Sequence, residues 1–74
     1  MKSDTEIQDD VMDELRWHPQ ITEPDAIGVA VTDGAVTLTG SVPTAQQKTA
    51  AVAAAKQVPG VTSVKDELKV SGSP

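Results

Sequence analysis

The side chains that could perform chemistry are few in this sequence, and its one histidine is the first to consider. Nucleophilic catalysis needs a base next to a nucleophile, but His18 stands directly before Pro19, where a helix is predicted to end. The negative end of a helix dipole favours an imidazole at such a position without any catalytic role. We therefore interpret His18 as a solvated residue at a helix end and predict no catalytic residue in the chain.

A group of carboxylates precedes His18 on the same helical pattern: Asp9, Asp10, Asp13 and Glu14. A calcium-binding loop needs glycine and carboxylates at fixed positions outside a helix, and paired carboxylates that act as acid and base need a cleft. The apolar residues are mostly Val and Ala, which suit a thin core better than a deep pocket. The sequence thus predicts an acidic, solvated helix face, with no metal and no cofactor.

Trp17 is the only aromatic residue in the 74-residue chain, and it lies between Arg16 and His18. On a helical wheel it falls beside the apolar stripe, so its ring is expected to be partly exposed. One interpretation is that the ring covers the core beneath a loop at residues 19–26. The other is that it anchors the protein at a membrane interface or in a partner's groove, with Arg16 and His18 supplying polar contacts.

The element that positions these residues is an amphipathic helix predicted over residues 4–17. Ser3 and Glu6 have the spacing of a capping box at its start. Pro19 disfavours helical geometry in the residue before it, so the helix must end near there. The apolar stripe of this helix consists of Ile7, Val11 and Leu15.

Residues 27–40 predict a β-hairpin. Two runs of alternating apolar and small or polar residues meet at Asp33-Gly34, a dipeptide that accepts the positive φ angles of a two-residue type I′ turn. A turn at this position gives a register that places apolar residues opposite each other, Val29 with Leu38 and Val31 with Val36.

A second helix and a third strand are predicted after the hairpin. Thr44 and Gln47 have capping-box spacing, and Pro59-Gly60 ends the helix. The helix has a mostly alanine face that can approach a sheet closely, formed by Ala51, Ala54, Ala55 and Val58. One face of the strand that follows contains Val64, Asp66, Leu68 and Val70. We interpret the Asp66 carboxylate as lying near a sheet rim, where it accepts hydrogen bonds, and we expect residues 71–74 to fray.

The predicted order is helix, strand, strand, helix, strand, which indicates an α+β fold of αββαβ type. A crossover through the second helix returns the third strand to a small three-stranded sheet, with both helices on one face. We expect the third strand beside the first, in the order 2-1-3. Residues 1–74 are interpreted as a single domain with a core of about residues 4–70, and the open sheet face presents Thr32, Thr37, Thr39 and Lys65.

The net charge of −5 is distributed unevenly. Residues 1–33 hold nine acidic and two basic residues, a charge of −7, whereas residues 34–74 carry +2. Nucleic-acid binding needs a basic stripe with stacking aromatic residues, so we predict no nucleic-acid partner. No stretch has the length of a signal peptide or a transmembrane span. The chain is therefore expected to be cytoplasmic if it is full length, or else a piece whose leader has been removed.

Three stretches resemble the BON domain, a family named for bacterial osmotically induced and nodulation proteins. They are the helix that ends in LRWHP, the hairpin IGVAVTDGAVTLTGSVPT, and the closing segment VPGVTSVKDELKV. The most specific pieces are DG-V-TL-G in the hairpin and GV--V---L-V at the end, and the resemblance spans residues 4–70. It implies an αββαβ fold without catalysis, in a domain of envelope or stress proteins to which phospholipid binding is assigned. It also implies a periplasmic or envelope context, but no fixed set of binding side chains.

Two functions therefore follow as expectations. The first is a non-catalytic binding module in a stress-related protein, which associates with phospholipid or an envelope protein through Arg16, Trp17 and His18. The second is a protein-interaction adaptor that uses the acidic first helix or the open sheet face. The outer strand of the sheet could also pair with another chain.

Overall fold

The computed structural model describes residues 3–71, which form two helices and a mixed β-sheet. This architecture confirms the predicted small α+β fold. In chain order the elements are α1 (Asp4–Trp17), a 3-10 turn (Pro24–Ala26), β1 (Ile27–Thr32), β2 (Ala35–Val42), α2 (Ala45–Lys56), β3 (Ser63–Asp66) and β4 (Lys69–Val70).

Both helices begin where their capping residues predict. The Ser3 side chain accepts a hydrogen bond from the Glu6 amide at 3.2 Å, and the Thr44 side chain accepts one from the Gln47 amide, also at 3.2 Å. Each bond satisfies a backbone donor that has no partner within the first helical turn. The bounds of α1 agree with the prediction at both ends.

The β1–β2 hairpin has the predicted turn and register. Asp33 and Gly34 have φ angles of 51° and 81°, the left-handed conformations that a type I′ turn requires. Val31 pairs with Val36 and Val29 with Leu38. A side chain at Gly34 would also collide with another segment, because its Cβ would lie 2.9 Å from the Gly60 carbonyl oxygen.

The predicted strand order 2-1-3 is wrong. The observed order is β1-β2-β3, so β2 is the central strand and β3 runs parallel to it. The Thr62 amide donates to the Gly34 carbonyl at 2.9 Å, which draws the start of β3 to the start of β2. The crossover through α2 thus returns the chain beside the strand that it left, and β1 occupies the other side of that strand.

The third predicted strand is interrupted rather than continuous. β3 ends at Asp66, β4 begins at Lys69, and both pair with β2 in the same register. The Asp66 carboxylate accepts a hydrogen bond from the Leu68 amide at 3.0 Å, which confirms its predicted role as an acceptor. The Ser71 amide donates to the Val42 carbonyl at 2.8 Å, so the expected fraying is wrong at this residue. Residues 72–74 lie outside the described residues.

The two helices and the inward side of the sheet bury a single cluster of apolar side chains. From α1 it contains large aliphatic residues, whereas from α2 it contains mainly alanines. β2 supplies Val36, Leu38 and Val42, and the half-buried Val29 and Val31 of β1 pack against the cluster. The opposite sheet face exposes Ala30, Thr32, Thr39, Lys65, Glu67 and Lys69.

Candidate functional site

The three residues singled out from the sequence lie where α1 ends. Trp17 is the last residue of the helix, and its side chain is 83% exposed. The interpretation that it covers the core is therefore wrong. Ile21, which is 6% exposed, supplies the buried apolar side chain of the loop instead. Arg16 is also exposed and lies in the last helical turn, where a positive charge is favourable to the helix dipole.

His18 closes the helix by backbone contacts. Its amide donates to the Leu15 carbonyl at 3.4 Å, and its own carbonyl accepts a hydrogen bond from the Ile21 amide at 3.1 Å. The Nδ1 atom of its imidazole accepts a hydrogen bond from the Gln20 amide at 3.2 Å. Because Nδ1 acts as an acceptor, the ring proton of the neutral form is on Nε2. His18 thus holds the chain reversal that leaves Trp17 exposed.

Two side-chain contacts fix the direction in which α1 crosses the sheet. The Asp4 carboxylate accepts hydrogen bonds from the Asp33 and Gly34 amides, at 3.0 and 3.2 Å. One helical turn later, Gln8 donates to the Val29 carbonyl at 3.0 Å. The helix therefore starts at the hairpin turn and runs away from it along β1.

Trp17 consequently lies at the far end of the molecule from the hairpin turn. A helix rises 1.5 Å per residue, so α1 carries Trp17 about 20 Å from Asp4. β2 extends over a similar distance, about 23 Å, and its last residue Val42 pairs with Val70. Trp17 and Val70 are the two large apolar side chains that the described residues expose, at 83% and 41%. We call this region, formed by residues 16–20, 41–44 and 69–71, the tryptophan end.

The acidic residues of α1 remain on its surface. Asp9, Asp13 and Glu14 are exposed, and Asp10 is half-buried. Within residues 3–71, no group of three or more histidine or carboxylate side chains is placed so that it could hold a metal ion. No helix in this part of the chain has the length and apolar character needed to cross a bilayer.

A second surface feature, which sequence reasoning missed, lies between α2 and β3. It is an open groove of about 260 Å³ lined by Thr49, Val52, Ala53, Lys56 and Asp66. Lys48 borders it and forms an ion pair with Asp66 at 3.8 Å. The signal in the sequence was the pattern of lysines: all four in the described residues belong to α2, β3 or β4, at positions 48, 56, 65 and 69.

The geometry defines a small αββαβ domain with an aromatic side chain exposed at one end. The chain matches the family model of the BON domain over residues 3–72, nearly its whole length, and it therefore belongs to the BON domain family. BON domains are non-catalytic binding domains, and phospholipid binding and osmotic stress form the family-level context. No curated protein matches the chain significantly.

Proposed function

We propose that this chain works as a single non-catalytic BON domain that associates with a phospholipid surface through its tryptophan end. The observation that carries the proposal is the 83% exposure of Trp17. Tryptophan is enriched at membrane interfaces because its ring is apolar while its indole N–H can form hydrogen bonds with headgroups. Arg16 and His18 flank it and can contact phosphate oxygens. An envelope or stress-related setting, as in the family, fits this role.

Val70 supports the same orientation. It is the second large apolar side chain exposed in the described residues, and it lies at the same end as Trp17. Lys69 beside it adds a positive charge to this end. The acidic residues Asp13 and Glu14 lie within one helical turn of Trp17 and oppose binding to strongly anionic surfaces. We therefore expect the apolar contact of Trp17, rather than net charge, to dominate binding.

Vesicle flotation with phosphatidylcholine alone, and with phosphatidylcholine plus phosphatidylglycerol, tests this function. The native protein should float with vesicles, and its Trp17 emission should shift to the blue as the ring leaves water. Trp17→Ala should weaken binding about tenfold or more, since burying a large apolar side chain contributes about 1.5–3 kcal/mol. Its circular dichroism should be unchanged because the exposed ring supports no core contact.

A matched pair of charge variants locates the contact. Arg16→Gln removes one positive charge at the tryptophan end, whereas Lys56→Gln removes one where α2 ends, close to the Gly60 segment that packs on the hairpin turn. Arg16→Gln should weaken binding to the anionic vesicles, and Lys56→Gln should not. Equal effects of the two variants, or native binding by Trp17→Ala, would contradict the proposal.

A second candidate is a protein-interaction adaptor that uses the acidic face of α1. The exposed carboxylates of this face and the charge of −7 over residues 1–33 favour it. Absence of both flotation and an emission shift with either lipid would favour the adaptor over the membrane role. The adaptor would then be expected to select a basic partner.

A further inference from the structure

We propose that the open edge of the sheet formed by β3 binds an acidic, extended peptide segment as an additional β-strand. We call this edge, residues 63–70 together with the groove beside α2, the lysine edge. The lysine edge shares Lys69 and Val70 with the tryptophan end. The main-chain groups used for strand addition belong to Val64 and Asp66, which lie outside that end, so strand addition does not depend on membrane binding.

The backbone of β3 is placed to accept a strand. Leu38 of β2 accepts a hydrogen bond from the Glu67 amide at 2.8 Å and is in register with Asp66. In a parallel ladder with this pairing, residues 65 and 67 direct their main-chain groups toward β2. Val64 and Asp66 therefore direct their N–H and C=O groups away from the sheet. These groups are the hydrogen-bonding positions that strand addition uses.

The opposite edge of the sheet is less open. α1 lies along β1, and its Gln8 side chain donates to the Val29 carbonyl at 3.0 Å. The Asp4 carboxylate likewise occupies the amides of the hairpin turn. Addition of a strand is thus favoured at β3 over β1.

The groove beside β3 indicates which side chains the added strand would carry. Its volume of about 260 Å³ is lined on the helix side by Thr49, Val52 and Ala53. Alternate side chains of a strand point to opposite faces of a sheet. Those that point toward α2 would enter this groove and should be small and apolar. Those on the other face would lie along Lys65 and Lys69, which are exposed.

Charge then selects an acidic segment. The lysine edge and its groove carry four lysines, at positions 48, 56, 65 and 69, against Asp66 and Glu67. Lys48 is paired with Asp66 and Lys65 with Glu67, at 3.8 and 3.2 Å. Lys56 and Lys69 have no ion-pair partner among residues 3–71. These charges also disfavour antiparallel pairing with a second copy in the register centred on Lys65, because it places two lysines opposite each other.

The probe for this proposal is a synthetic, end-capped peptide of about ten alternating glutamate and valine residues, a typical strand length. In ¹⁵N-labelled protein, its binding should shift the amide signals of Val64 and Asp66 and slow their hydrogen exchange. A lysine–valine peptide should bind about tenfold more weakly because of like-charge repulsion. Equal affinity of the two peptides would overturn the proposal.

Two changes separate strand addition from simple charge attraction. The first is a glutamate–valine peptide with alternate amides N-methylated, which keeps the charge but cannot pair with the edge and should not bind. The second is Val64→Pro, which removes an N–H that β2 does not use and is tolerated on an edge strand. This variant should keep the native circular dichroism and lose the peptide. If it fails to fold, the N-methylated peptide still decides the question.

Charge variants complete the test. Lys56→Gln should weaken peptide binding about twofold to fivefold, the effect of an exposed ion pair. Thr5→Glu, which makes the same charge change on the exposed side of α1, should leave it unchanged. Native affinity of Val64→Pro, shifts of the same amides by anionic vesicles, or concentration-dependent shifts without peptide would overturn the assignment. They would favour simple charge attraction, lipid or a second copy respectively.

Discussion

The two helices cover the same sheet face by different physical means. α1 buries three large aliphatic side chains and is joined to the hairpin by the side chains of Asp4 and Gln8. α2 buries four alanines at positions 50, 51, 54 and 55 and approaches the sheet without long side chains. The packing of α1 thus depends on large side chains and on polar contacts to the turn. The packing of α2 depends instead on its small alanine side chains, which let the helix backbone approach the sheet closely.

The two helices also differ in the charge that they present to solvent. α1 presents carboxylates to solvent along most of its length and ends in an exposed tryptophan, whereas α2 and its neighbouring strands hold all lysines of the described residues. A domain of this size thus offers two chemically distinct surfaces on one scaffold.

The largest expected effect is in the core of α1. Leu15→Ala should lower the free energy of unfolding by about 2–5 kcal/mol, because Leu15 is fully buried and the cavity would collapse only partly. Urea denaturation followed by circular dichroism measures this loss. The emission of Trp17 is unsuitable as a probe because the ring is already exposed in the folded state. A loss below about 1 kcal/mol would show that large buried side chains do not dominate the packing of α1 on the sheet.

A smaller effect is expected at the polar contact between α1 and the turn. Asp4→Ala should cost about 1.5–3 kcal/mol, since a carboxylate that accepts two amide hydrogen bonds is removed and the Gly34 amide is partly buried. The matched control is Asp9→Ala, an exposed carboxylate on the same helix, which should change stability by less than about 0.5 kcal/mol. Similar values for the two variants would mean that only the charge of the helix matters.

In α2 the expected damage comes from enlarging a buried side chain rather than from shortening one. Ala51→Leu should destabilise the fold by about 1–3 kcal/mol, because Ala51 is fully buried and a larger side chain would push the helix from the sheet. Ala53→Leu, on the exposed side of the same helix, should be close to neutral. If Ala51→Leu were neutral or stabilising, α2 would be loosely packed rather than closely packed.

Much of the fold follows from local signals. The Asp33-Gly34 turn, the N-caps Ser3 and Thr44 and the stripe of α1 are each set by residues close together in the chain, and the structure confirms them. The side chain of Gln47 does not complete a capping box with Thr44 but forms hydrogen bonds with Thr22, 25 positions away. The exposure of Trp17 also follows from its angle on the helical wheel relative to Leu15. Helical periodicity and turn chemistry are sufficient to predict a feature when the residues that determine it lie within a few positions of each other.

The errors concern contacts between distant segments. Alternation of apolar residues marks β2 as a strand but does not show whether it is central, and the strand order was wrong for that reason. The bond from Asp4 to the turn joins residues that are 29 and 30 positions apart, and nothing local in the sequence indicates it. The groove beside α2 likewise exists only once β3 lies next to β2.

The corner at Gly34 has a consequence for how the chain folds. Residues from three regions meet there: Asp4 from the start of α1, the turn itself, and the Gly60–Thr62 segment that precedes β3. The ribosome releases the third of these after the other two, so a nascent chain can close its hairpin but cannot complete the corner. Final assembly of the domain therefore waits for the segment before β3, and its rate should be set by long-range contact formation rather than by the hairpin.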